Sequence, residues 1–137
     1  NAQVGVIVFG RQVDLQNMIV LGEIDTNVAL ERAVDNLRII QSDGVDMAAA
    51  FQQMQTMFED NGRPSVPRIA LLLTSGNPSN LALASIESEK AAEMGIAMLV
   101  YGIGGNIDVD VMLSIALNRT YVFRAGAWQS LVYSVQL

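Results

Sequence analysis

The chain has 137 residues, 51% of them hydrophobic and 16% charged, and its 8 basic and 14 acidic residues give a formal net charge of −6. That length and apolar content suit one domain with a real core and exclude a disordered tail. The acidic balance argues against nucleic acid, whose phosphates need a basic stripe. Cysteine and histidine are both absent, which removes disulfides, zinc-thiolate sites, thiol nucleophiles and the commonest general base.

The apolar runs, at residues 4–9, 69–73 and 96–101, fall far short of the ~18 consecutive residues that span a bilayer. No basic leader precedes an apolar stretch, so any signal peptide is expected to have been removed already or never to have existed.

In chain order, residues 4–10 are apolar and β-branched, which predicts a strand buried on both faces. "RQVDLQ" alternates polar and apolar residues, as a half-exposed edge strand does. "DTNVALERAVDNL" opens on the capping residues Asp25, Thr26 and Asn27, then carries Val28, Ala29, Ala33, Val34 and Leu37 at helical spacing. "DGVDMAAAFQQMQTMFEDNG" predicts a second helix that ends near Asn61 and Gly62. Its Met47, Phe51, Met54 and Phe58 recur at core spacing, and Met57 lies on the same helix.

"RPSVPR" is a surface loop leading to a strand of Ile69 to Leu73, which ends in the polar turn Thr74, Ser75, Gly76 and Asn77. "LALASIESEKAAEMG" is a helix closed by Gly95, "IAMLVYGIGG" a buried strand, "DVDVMLSIALNR" a helix and "TYVF" a short strand. "AWQSLVYSVQL" reads as a terminal amphipathic helix with Trp128 as a core or groove anchor. From Arg68 onward the order is strand, helix, strand, helix, strand, helix. This predicts an α/β fold: a three-layer, doubly wound, mostly parallel sheet with helices on both faces and one antiparallel edge strand.

Four stretches in this order carry a family resemblance. "QVGVIVFG", "DGVDMAAAF", "RIALLLTSG" and "EMGIAMLVYGIGG", the last followed by "MLSIA" and "TYVF", resemble the von Willebrand factor type A domain, also called the I domain. In that family a divalent cation sits at the top of the sheet in a metal-ion-dependent adhesion site. Its ligands come from an Asp-x-Ser-x-Ser motif after the first strand, a Thr in a second loop and the Asp of Thr-Asp-Gly.

Here the Thr position falls on Val45 and the Asp position on Ser75, and the Asp-x-Ser-x-Ser motif does not occur. The resemblance therefore implies a degenerate site with no metal and no cofactor. Asp43 and Asp46 flank Val45, at a helix start where acidic residues complement the dipole anyway. Thr74, Ser75 and Asn77 read as turn residues bonding their own backbone.

The resemblance also implies that the family's central first strand and the helix after it are not in residues 1–137. The expectation is a single domain over 1–137 whose missing strand and helix are supplied by upstream sequence or by another chain.

The remaining motifs are weaker. "GIGGNID" lacks the third glycine of a dinucleotide fingerprint and reads as a strand-to-helix turn capped by Asp108. No Gly-x-x-x-x-Gly-Lys or Gly-x-Ser-x-Gly occurs, so neither a P-loop NTPase nor a hydrolase triad is supported. "NRT" makes Asn118 a glycosylation candidate if the protein is secreted.

The expected function is a non-enzymatic, secreted extracellular-matrix module for adhesion. It would bind a protein partner, collagen or another matrix protein, through Asp43, Gly44, Val45, Asp46, Thr74, Ser75, Asn77 and Asp108 without a bridging cation. That surface is expected to present Asp43, Asp46, Asp108 and Asp110 and to favour a basic or neutral partner. The competing expectation is a small-ligand or nucleotide-binding α/β domain that uses the 104–108 turn and the 74–77 loop as an anion cradle.

Overall fold

The computed structural model describes residues 2–38 and 40–127. The expected terminal helix and Trp128 lie outside the described residues. The chain divides into two compact units, Asn1–Val66 and Pro67–Leu137, and each is described by itself.

In the first unit, helix α1 (Asn27–Asp35) starts at Thr26, whose hydroxyl accepts from Ala29 N at 3.4 Å. Helix α2 (Met47–Asn61) starts at Asp46 and stops at Gly62, whose N–H returns to Phe58 O. The core comes from α2: Met47, Phe51 and Met54 of the expected stripe are buried, together with Ala50 and Met57, while Phe58 is half-buried. The 4–10 segment lies against this helix at Gly5, where an added Cβ would fall 2.6 Å from Met57 Sδ. By contrast α1 has no buried residue and Val28 is 60% exposed, so its apolar stripe is a surface.

Two expectations for this unit are corrected. Residues 4–10 are not a strand buried on both faces, because Val6, Ile7, Val8 and Phe9 are only half-buried. The antiparallel edge strand is also not formed. Antiparallel pairing survives as two isolated bridges, Val6 with Ile19 and Phe9 with Val13. The reason is local. A tight turn joins Gly10 N to Gln12 O at 3.0 Å, and a second joins Asn17 N to Asp14 O at 3.1 Å. Between them there is room for one pair, and a ladder needs several in succession.

In the second unit three strands form an open parallel sheet in the order β1 (Arg68–Thr74), β2 (Ile96–Ile103), β3 (Val122–Ala125). The register runs from Arg68 with Ile96 to Thr74 with Gly102, and from Val100 with Val122 to Ile103 with Ala125. Helices α3 (Leu81–Glu93) and α4 (Val109–Ala116) pack on each other and on β2. A sheet that grows in one direction through right-handed crossovers carries both helices on the same face. Gly102 fits beneath α4 because a Cβ there would fall 2.8 Å from Ile107 Cγ2.

On that face Leu72, Met98 and Val100 are buried. Paired residues of neighbouring strands share a face, so the other side carries Ile69, Leu71 and Leu73, at 60%, 53% and 41% exposure. It also carries Tyr101 and Phe123, stacked with ring centroids 4.6 Å apart. The architecture of this unit is an open parallel α/β sheet with α3 and α4 packed on it.

Candidate functional site

In the first unit the loop holding Asp43, Gly44, Val45 and Asp46 is tied down by its own polar groups. Ser42 Oγ accepts from Arg11 N at 2.8 Å and donates to Gly44 O at 3.0 Å. Asp46 N donates to Gly10 O at 2.7 Å. Gly10 is buried, and a Cβ on it would sit 2.8 Å from Ser42 Oγ. Only glycine lets the Ser42 side chain approach the backbone this closely.

Both carboxylates of the loop are engaged. Asp46 Oδ1 accepts from Ala49 N at 3.0 Å as the cap of α2, and Asp43 pairs with the Arg11 guanidinium.

In the second unit the parallel register brings the C-terminal ends of β1 and β2 to one end of the sheet. Thr74 is buried, and its Oγ1 donates to Gly76 O at 3.0 Å and accepts from Gly76 N at 3.3 Å. This is the self-bonded turn the sequence implies. Ser75 is exposed.

Asn77 reaches across to the start of α4. Its Oδ1 accepts from Asp108 N at 3.0 Å and its Nδ2 donates to Asp108 Oδ2 at 3.2 Å. Asp108 stands at the cap position of α4 yet makes no side-chain cap bond, because its carboxylate is given to Asn77. Gly104, at φ +81°, makes the turn with its N–H on Ala125 O at 2.9 Å. The 74–77 and 104–108 loops are thus clamped together.

Asp43, Asp46 and Asp108 each serve a partner within their own unit. Asp110, exposed in the first turn of α4, has no side-chain partner among the described residues. The anion-cradle reading weakens for the same reason. Asn77 occupies the N–H of Asp108, and the Asp108 carboxylate stands where an anion would enter.

Sequence reasoning did not find Gly10, Arg11 and Ser42 as the scaffold of the 43–46 loop. Arg11 and Asp43 are 32 positions apart, and no local pattern connects them. Asn118 is exposed between α4 and β3, at the end of the sheet where β3 begins. Its Oδ1 accepts from Thr120 N at 3.0 Å and Thr120 Oγ1 at 2.7 Å. Among the described residues no helix is long and apolar enough to cross a membrane, and no group of three or more Asp or Glu is gathered as a metal site.

Comparison with known proteins places this geometry. No curated protein sequence matches the chain. Proximal thread matrix protein 1 from the mussel byssus is similar in structure, with a TM-score of 0.88 at 18% identity over 98% of this chain and 33% of its own. In another structure of that mussel protein a MIDAS motif is occupied by zinc. The conserved hypothetical protein BatB from Bacteroides thetaiotaomicron gives a TM-score of 0.75 at 18% identity, over 97% of this chain and 75% of its own. The manganese-loaded TRAP protein of Plasmodium vivax gives 0.61 at 21% identity, over 78% of this chain and 45% of its own.

At these identities the likeness is one of fold, and the chain spans about a third of the length of the mussel protein. The profile of the von Willebrand factor type A domain, however, matches residues 1–136. The chain belongs to the von Willebrand factor type A domain family.

Proposed function

We propose that this domain is a non-enzymatic adhesion module of the extracellular matrix that binds a protein partner through its loops without a bridging cation. The observation that carries the proposal is the Asn77–Asp108 clamp, which joins two loops at the C-terminal end of the sheet into one fixed surface with Ser75 exposed on it. Open α/β sheets present ligand-binding loops at that end. The 43–46 loop of the first unit is the second contact region.

Family membership and the fold shared with a byssal matrix protein support the matrix assignment. A collagenous segment or another matrix protein bearing Arg or Lys suits the acidic chain. Secretion goes with this reading, and a glycan on Asn118 would then stand at the far end of the second unit's sheet from the 74–77 loop.

The donor set supports cation independence. A hard cation wants several oxygen ligands, usually with a carboxylate among them. Val45 offers methyls and Ser75 a neutral hydroxyl at the matched positions, while Asp43 and Asp46 serve Arg11 and Ala49 N.

A further strand and helix, from upstream sequence or another chain, complete the sheet in this proposal. The exposed Ile69, Leu71 and Leu73 on β1, an end strand of the described sheet, support it. Millimolar Mg²⁺ or Ca²⁺ is expected to leave the melting temperature and the binding of a collagenous probe unchanged. A stoichiometric cation site of micromolar affinity by calorimetry would refute the cation-independent reading.

A further inference from the structure

A second surface lies wholly within the first unit. A groove of about 320 Å³ runs between the 11–15 segment and α2. Its α2 wall is built from Ala49, Gln52, Gln53 and Thr56. These positions recur at helical spacing on the side away from the buried stripe of Met47, Ala50, Phe51, Met54 and Met57. A surface helix ordinarily shows charges on that side. This stripe carries amides and a hydroxyl and no charge.

Both charged residues of the groove are already engaged. Arg11 is paired with Asp43, and Asp46 caps α2. What remains on offer is hydrogen-bonding capacity and the apolar Val13 and Leu15, the latter 62% exposed.

The opposite wall has an open backbone edge. Gly10 N bonds Gln12 O at 3.0 Å and Asp14 N bonds Val8 O at 2.9 Å, flanking the antiparallel bridge of Phe9 with Val13. In such a non-hydrogen-bonded pair the N–H and C=O of Val13 point away from the partner segment. Among the described residues neither group has a hydrogen-bond partner.

We propose that this groove is a peptide-binding site. It takes an uncharged, extended segment of a partner protein, which pairs with the Val13 edge while Gln53 and Thr56 of α2 hold its outer backbone groups. Main-chain pairing gives such a site its affinity, and the side chains alternating along the strand give it specificity. Because the segment it takes is uncharged, binding depends little on salt. The groove borders the 43–46 loop at Asp46, and its Gln53 and Thr56, which lie outside that loop, distinguish a failure of this site from a failure of the proposed loop contacts.

The test is a titration of the ¹⁵N-labelled full chain with the capped peptide Ac-Thr-Val-Thr-Val-Thr-NH₂, followed by amide shifts. The expected result is saturable shifts at Val13, Leu15, Gln53 and Thr56, with an affinity that stays within about twofold between low and high salt. Val13→Pro removes the edge donor and is expected to weaken binding about tenfold or more. Should that variant not fold, the double change Gln53→Ala and Thr56→Ala, both on the helix surface, is expected to weaken binding severalfold with an unchanged melting temperature. Absence of shifts, shifts confined to Ile69 and Leu71 of β1, strongly salt-dependent binding, or shifts that grow with protein concentration alone, as a second copy in the groove would give, each overturn the proposal.

Discussion

The 43–46 loop of the first unit and the 74–77 loop of the second both end by leading the chain towards a helix, but they are held in opposite ways. The first is fixed by backbone proximity: Gly10 O takes Asp46 N, Ser42 Oγ bridges Arg11 N and Gly44 O, and Asp46 caps α2. The second closes on itself at Thr74 and is then fixed from outside by the Asn77 side chain on Asp108. In the first, side chains of the proposed contact region also hold the loop in place. In the second, Thr74 and Asn77 hold the loop and Ser75 is exposed on it. Under the proposed function, binding and folding are therefore entangled in one loop and separable in the other.

The sharpest way to break this contrast is Gly10→Ala. Its Cβ would fall among the side-chain atoms of Ser42, and overpacking of this kind costs about 1–3 kcal/mol. Chemical denaturation should show that loss, together with weakened binding at the 43–46 loop. An unchanged midpoint would mean that the close approach does not hold this loop.

Next in size is Asp46. Changing it to Ala removes the cap of α2 and should cost about 1 kcal/mol, whereas Asn, itself a good cap, should cost a few tenths at most. If Asn weakens partner binding as much as Ala does, the carboxylate's charge rather than the cap is what the partner reads.

Smallest is Asn77→Ala, which removes two exposed hydrogen bonds, for a loss of about 0.5–1 kcal/mol. Its effect on binding should exceed its effect on stability, because the 74–77 and 104–108 loops then move independently. Calorimetric titration with the partner beside a thermal melt tests this. A binding loss no larger than that of Ser75→Ala would show that the clamp is not needed.

Much of the second unit was legible in the sequence. The β1, α3, β2, α4 order follows from apolar runs and turns that neighbours within a few residues determine, such as Gly95 after α3 and the 104–108 turn before α4. The first unit was legible in α2, whose Met and Phe stripe is the core it predicts. It was not legible in its extended segments. The alternation in "RQVDLQ" is that of a strand, but turns on either side of Val13 cut the ladder to a single pair. The apolar stripe of α1 predicted burial, and that depends on whether another element comes to meet it.

The site divides along the same line. Sequence alone determined which chemical groups stand at the family's ligand positions, Val45 and Ser75, since a side chain's donor atoms come with its identity. It also determined the cap of α2, because Asp46 and Ala49 are three residues apart and the helix brings them together. Tertiary structure alone decided which carboxylates are already in use. Asp43 meets Arg11 from 32 positions away and Asp108 meets Asn77 from 31. A pairing at that separation depends on how the whole chain closes its loops, and no period or capping rule encodes it.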